Sequence, residues 1–275
     1  MMSEITLVLF TVLTQLAVGA LVTLWLLETL GKKVKVETGK FLTTTVLGIT
    51  AVGIVISLFH LGSPAMAFLA LSNIANSWLS REILMFGLFF VAALVYLLQW
   101  KEGQQQARKI VGCVTAIIGT VAVMFSGMIY VLPAMPAWNN FSPVLFFLVT
   151  AFLLGPIYTF MVLRFKDDIE APKIPVAVSV VLGFSIISFV LYLTTMQAGV
   201  IEQNLTAVNI IASEAFWLRA AVGWLLPLGI LGYFAYKQQK MTQPVVITVF
   251  LLLLVGELVG RELFYSAIVG MQIGL

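Results

Sequence analysis

The sequence predicts an all-α fold: a polytopic membrane protein built as a bundle of eight transmembrane helices, with both termini outside. Three observations carry this. Of 275 residues 61% are hydrophobic and only 10% charged, against roughly 25% charged in soluble domains. Apolar stretches long enough to cross a bilayer recur along the whole chain, and mean hydropathy is +1.08. The basic residues, finally, fall on alternate loops. A net charge of +3 spread over this length is no basic patch, so the pI near 9.0 does not signal nucleic acid.

About 20 apolar residues cross the ~30 Å hydrocarbon core, and without water there the backbone must pair within each segment, as a helix. The first span is about residues 5–27, preceded by Glu4 and no Lys or Arg, unlike the charged start of a signal peptide. The second, 41–61, is stopped by Gly62 and Pro64. The others are 80–98, 110–132, 143–163, 174–196, 215–236 and 244–266. Together they occupy most of the chain, leaving residues 1–275 as one membrane domain.

Orientation follows from the cations. Lys32, Lys33, Lys35 and Lys40 follow the first span; Lys101, Arg108 and Lys109 the third; Arg164, Lys166 and Lys173 the fifth; Lys237 and Lys240 the seventh. These twelve of the fifteen basic residues share one side, which is then cytoplasmic. The outer loops differ. Residues 61–79 carry no charge and suit a short interfacial or re-entrant helix. Residues 133–142 contain Pro133, Pro136 and Trp138, a ring suited to the interface, and 197–214 carry Glu202 and Glu214 without a cation. Such loops suit a cap against a partner, or plain interfacial anchoring.

One Cys, Cys113, and one His, His60, are present. A disulfide needs two Cys, an all-cysteine iron–sulfur cluster four and a bis-His haem two His, and zinc sites of usual composition fail as well. Any redox role therefore uses a diffusible organic carrier, or metals in another chain.

Three arginines remain: Arg81, Arg219 and Arg261. Charges within spans are costly and mark function by default. Arg81 and Glu82 open the third span, Arg219 lies in the first turns of the seventh, and His60 ends the second. Counting from Pro244 at 1.5 Å per residue, Glu257 is roughly 20 Å deep, with Arg261 and Glu262 beyond it. Read singly, each has an ordinary account: an interfacial His60, Glu82 at a helix N-terminus, Arg81 snorkelling to headgroups, Arg219 facing headgroups, Glu257 and Arg261 as an i,i+4 ion pair. Gly256 and Gly260 add small-xxx-small spacing, which predicts close helix packing. Together, the coincidence in the outer half favours a shared polar pocket.

A quinol suits such a pocket. Its oxidation needs proton acceptors while electrons leave; His is the natural one near neutral pH, and a carboxylate can receive or relay a proton. Arg81 or Arg261 would tune the site, and Trp78 and Phe86 could flank the ring. Electrons would pass to a cluster in a partner on the outer face.

His60-Leu61-Gly62-Ser63-Pro64, Ala67-Phe68, Leu71, Ser80-Arg81-Glu82-Ile83, Pro136-Ala137-Trp138, Pro143, Gly155-Pro156, Trp217 with Arg219, Gly256-Glu257-Leu258-Val259-Gly260-Arg261 and Phe264-Tyr265 together resemble the membrane-anchor subunit of dimethyl sulfoxide reductase. The resemblance covers essentially the whole chain. It implies eight helices with outside termini in a bacterial inner membrane, menaquinol as reductant and no haem, iron–sulfur cluster or molybdenum in this chain. It further implies a periplasmic iron–sulfur subunit and a molybdopterin catalytic subunit as partners. His60 and Glu82 would be the catalytic proton acceptors, with Arg81, Glu257 and Arg261 as further quinol-binding candidates. Two other classes stand beside it: a transporter or channel with an outer vestibule, and a passive anchor. A transporter would show interrupted helices and midplane polar groups, whereas the inner half here is nearly free of them.

Overall fold

A computed structural model describes residues 2–59, 71–167, 171 and 173–271, with side chains from residue 5. Among these residues the secondary structure is helical, without a strand, and eight helices are long and apolar enough to cross a membrane. They are α1 (Met2–Thr29), α2 (Val36–Leu58), α3 (Trp78–Leu98), α4 (Gln105–Met128), α5 (Ser142–Asp167), α6 (Lys173–Gln197), a seventh span and α10 (Gln243–Ser266). The seventh is composite: α8 (Glu214–Leu218), a wide π-helical stretch (Arg219–Leu225) and α9 (Leu226–Lys237).

Boundaries depart from the expected spans where apolarity and helicity part company. α2 begins at Val36 and α4 at Gln105, about five residues before their apolar runs, because Glu37, Thr38 and Gln106 are compatible with helix outside the hydrocarbon layer. α4 stops at Met128, short of the apolar run's end, since Pro133 disfavours helix in the residue before it. Between α6 and the seventh span lies a helix that the hydropathy does not reveal, α7 (Ile201–Ala212).

α1 and α5 form the centre: 72% and 67% of their most apolar windows are buried, against at most 44% for the other spans. Their backbones meet at Gly19 and Gly155, where a Cβ on either would overlap the other helix. Nearby the Thr159 hydroxyl donates to the Ala20 carbonyl at 3.2 Å. Absence of side chains is what permits this close approach. α2, α4 and α10 pack around α1, α3 packs on α4, and α6 on α5.

At one end the lysine-bearing loops meet: Lys35 pairs with Asp167 at 3.2 Å, and the Trp25 indole donates to the Lys109 carbonyl at 3.0 Å. This end also holds something absent from the sequence expectation of a clean inner half. Glu28 and Arg108 are buried and joined at 2.6 Å, Tyr96 donates to the same carboxylate at 2.8 Å, and the guanidinium lies 4.1 Å over the Trp100 ring. Arg108 is thus drawn into the bundle, because a buried Glu28 needs a partner.

At the opposite, lysine-poor end α7 serves as a lid. Gln203 donates to the Pro136 carbonyl, Thr206 accepts from the Val269 amide and Asn209 donates to the Ala267 carbonyl. Trp138 is not at the lipid interface as its chemistry suggested. It is buried and stacked on Phe264 at 4.8 Å, since the loop between Pro133 and Ser142 folds inward beneath α7.

Candidate functional site

Glu82 sits in the second turn of α3, whose start is fixed by Ser77: its hydroxyl oxygen accepts from the Ser80 amide at 3.3 Å. One turn along, the Glu82 side chain enters the bundle, where it is 4% exposed. Ser126 of α4, itself buried, donates its hydroxyl to Glu82 Oε1. That bond leaves the carboxylate with acceptor capacity and no ion pair among the described residues.

Glu82 lines a cleft of about 400 Å³ whose other walls come from α1, α2, α3 and Leu71 in the segment before α3. Phe10, Ile54, Leu58, Leu71 and Phe86 make it apolar, and Ser57 is the other polar side chain. Phe10 and Phe86 meet edge to face at 5.7 Å. The volume falls within the roughly 300–1,000 Å³ of small-molecule sites. His60 lies outside the described residues; Leu58, two positions before it, belongs to the cleft wall. Trp78 packs instead on Phe125 at 5.3 Å.

Arg81 is turned to another task. Its guanidinium donates to the carbonyls of Ile74 and Ala75 and lies 4.3 Å over the Trp78 ring. It fastens the segment before α3 to the helix and is not among the residues lining the cleft.

Glu257 and Arg261 come together in a second place. The close packing expected from Gly256 and Gly260 is present: Gly256 meets Gly223 of the π-helical stretch, and the Arg219 side chain lies across Gly260. This contact brings Arg219 Nη2 within 3.6 Å of Glu257 Oε1. Thr150 of α5 donates to Glu257 Oε2 and accepts from Arg261 Nη2 at 3.0 Å. Arg261 also donates to Gln15 of α1 at 2.7 Å and stands 3.6 Å over the Phe147 ring. Arg219, Glu257 and Arg261 are all at least nine-tenths buried. They border a void of about 30 Å³, room for about one or two waters and far too small for an aromatic ring.

Glu82 is therefore not in one chamber with Glu257 and Arg261. What lies between is a pair of phenols, Tyr130 and Tyr265, whose hydroxyl oxygens are 3.0 Å apart. Tyr130 is within electrostatic reach of both Glu82 and Arg261, and it is wedged among Trp138, Phe147 and Phe264. Sequence reasoning missed Ser126, Thr150, Gln15 and this phenol pair. Gln15 alone carried a signal, being an amide in the middle of an apolar span. Among the described residues no three His, Cys, Asp or Glu side chains are grouped to hold a metal ion.

Residues 1–267 match the family model described as DMSO reductase anchor subunit (DmsC). The protein is 30% identical to the YnfH subunit of anaerobic dimethyl sulfoxide reductase from Escherichia coli K12, over 94% of its own length and 93% of that relative's. It is 28% identical to the C subunit of anaerobic dimethyl sulfoxide reductase from Haemophilus influenzae, over 98% of each.

Proposed function

The chain belongs to the family of dimethyl sulfoxide reductase anchor subunits, and on that premise we propose that it oxidises menaquinol in the Glu82 cleft for a membrane-bound molybdoenzyme. The observation that carries this is a buried, singly hydrogen-bonded carboxylate at the wall of an apolar cleft of about 400 Å³. A naphthoquinol needs such a place: flat apolar walls for the rings, and a proton acceptor at the hydroxyls.

Oxidation of one quinol releases two protons and two electrons. Glu82 takes one proton, held in position by Ser126, and His60 takes the other. Phe10 and Phe86 confine the ring and exclude water. Glu257, Arg261 and Arg219 do not touch the head; their charges act on it across the Tyr130–Tyr265 pair. The electrons leave to an iron–sulfur subunit docked on the lysine-poor face, which is the periplasmic one, and from there to a molybdopterin catalytic subunit. Cytoplasmic placement of the lysine-bearing end follows the positive-inside rule.

The test separates anchoring from chemistry. Glu82→Gln and His60→Asn should each abolish quinol oxidation in membranes while the assembled complex still reduces its acceptor with an artificial electron donor. Quinol turnover surviving both changes would remove the cleft from the mechanism.

A further inference from the structure

Quinol oxidation at Glu82 leaves a proton on a carboxyl group that is 4% exposed, and every turnover must clear it. The nearest polar groups offer no way out. Ser126, its hydrogen-bond partner, is itself buried. Ser57, also in the cleft wall, donates to the Ile54 carbonyl of its own helix. Arg81 is held by the carbonyls of Ile74 and Ala75. Within electrostatic reach of Glu82, however, stand the phenols Tyr130 and Tyr265.

Their placement is that of an outlet. Tyr130 lies two residues past the end of α4, and Tyr265 is the penultimate residue of α10. Both therefore stand at the lysine-poor end, and both are half-buried where Glu82 is buried. Their hydroxyl oxygens are 3.0 Å apart. The Tyr265 hydroxyl is also hydrogen-bonded to Thr11 of α1, next in sequence to the cleft residue Phe10. A phenol hydroxyl both donates and accepts, so Tyr130 keeps capacity for a second hydrogen bond beside the one to Tyr265. Arg261 sets the direction. It lies one turn deeper than Tyr265 on α10, within electrostatic reach of both phenols, and a fixed positive charge opposes a proton moving inward. Beyond it, Glu257 is already engaged by Arg219 and Thr150.

We propose that Tyr130 and Tyr265 form the relay that carries the Glu82 proton to the lysine-poor face, a role that rests on the quinol reading of the cleft. Once the electrons have left and the quinone departs, one water joins the carboxyl group to the Tyr130 hydroxyl. The Glu82 proton passes through it to Tyr130, the Tyr130 proton passes to Tyr265, and the Tyr265 proton passes to water outside. One proton enters the chain and one leaves. Both phenols end neutral, and no electron moves through them.

The test uses the complete complex in membranes, with quinol kinetics measured in water and heavy water for Tyr130→Phe, Tyr265→Phe and the double variant. Each change removes one oxygen atom and keeps the ring packing. Each single variant should lose about a hundredfold in kcat, the lower end of what a positioned proton transfer contributes, with KM unchanged and a larger solvent isotope effect. The double variant should be no slower than the slower single one, because groups that act in series fail as a unit. Acceptor reduction with an artificial donor should keep its wild-type rate in all three. Wild-type kcat in either single variant, losses that multiply in the double one, or an unchanged isotope effect would overturn the relay. Parallel loss of the artificial-donor activity would overturn it too, by showing that the phenols serve folding. Glu82→Gln acts upstream of the phenols: a wild-type quinol rate in that variant sinks the cleft assignment, whereas a wild-type rate in the phenol variants sinks the relay alone.

Discussion

Glu257 takes its ion pair from Arg219 of the preceding span, at 3.6 Å, and reaches Arg261, one turn along its own helix, through the Thr150 hydroxyl. The cross-helix partner wins because Gly223 and Gly256 let the two spans touch, so that Arg219 has no other place to lie. Removing Glu257 strands two guanidinium groups in the bundle, those of Arg219 and Arg261. Glu257→Leu should therefore destabilise the anchor by about 3–5 kcal/mol. The check is the thermal unfolding of the solubilised complex. Arg219→Met, which leaves Glu257 its link to Arg261 through Thr150, should cost less.

Ser126 positions Glu82 and should matter to turnover rather than to folding. A hydrogen bond to a charged group contributes about 1.5–3 kcal/mol. Ser126→Ala should accordingly lower kcat/KM for quinol by about ten- to a hundredfold, with acceptor reduction by an artificial donor unchanged. Ser126→Thr keeps the hydroxyl and should keep most of the rate.

The cleft can be closed without touching its polar groups. Gly87 lines it, and a Cβ at that position would meet nothing. Gly87→Phe should thus fold and assemble normally while occupying the space for the ring. Steady-state kinetics should register a raised KM for quinol or no quinol turnover at all, with both Glu82 and Ser126 intact.

Glu28 and Arg108 offer the same experiment at the other end. Glu28→Gln or Arg108→Leu alone should cost about 3–5 kcal/mol, whereas Glu28→Met with Arg108→Leu should cost less, about 1–3 kcal/mol for the buried Tyr96 hydroxyl left without its acceptor. Unfolding in denaturant of the solubilised anchor decides between them, and quinol oxidation should be indifferent to either.

Most of the architecture was legible because the bilayer imposes one rule: an apolar run of sufficient length is a helix. All eight spans follow from it, and the spacing of Gly256 and Gly260 foretold the contact they make. The errors have a common cause. Hydropathy locates the edge of the hydrocarbon layer, not the end of a helix, so the starts of α2 and α4 and the whole of α7 escaped it. Nor does hydropathy say which face of a helix a charge occupies. Arg108 looked like a loop cation and is buried against Glu28; Trp138 looked interfacial and is stacked on Phe264. At the candidate cleft, Glu82 was expected from its type and its place near a span's start. Its hydroxyl partner was not, since Ser126 is 44 positions away and serines are common in such helices.

The wide turn from Arg219 to Leu225 gives the seventh span an extra residue relative to an ordinary helix. Side chains before and after it are out of phase, so one rod addresses two neighbourhoods: Arg219 looks toward α10, and Leu231 and Phe234 toward a slot beside α5. Deleting a single residue in this stretch would restore regular winding and swing the preceding turn by about 100°. Arg219 would then leave Glu257 while the rest of the rod stayed in register, a change of azimuth confined to the turn that carries it.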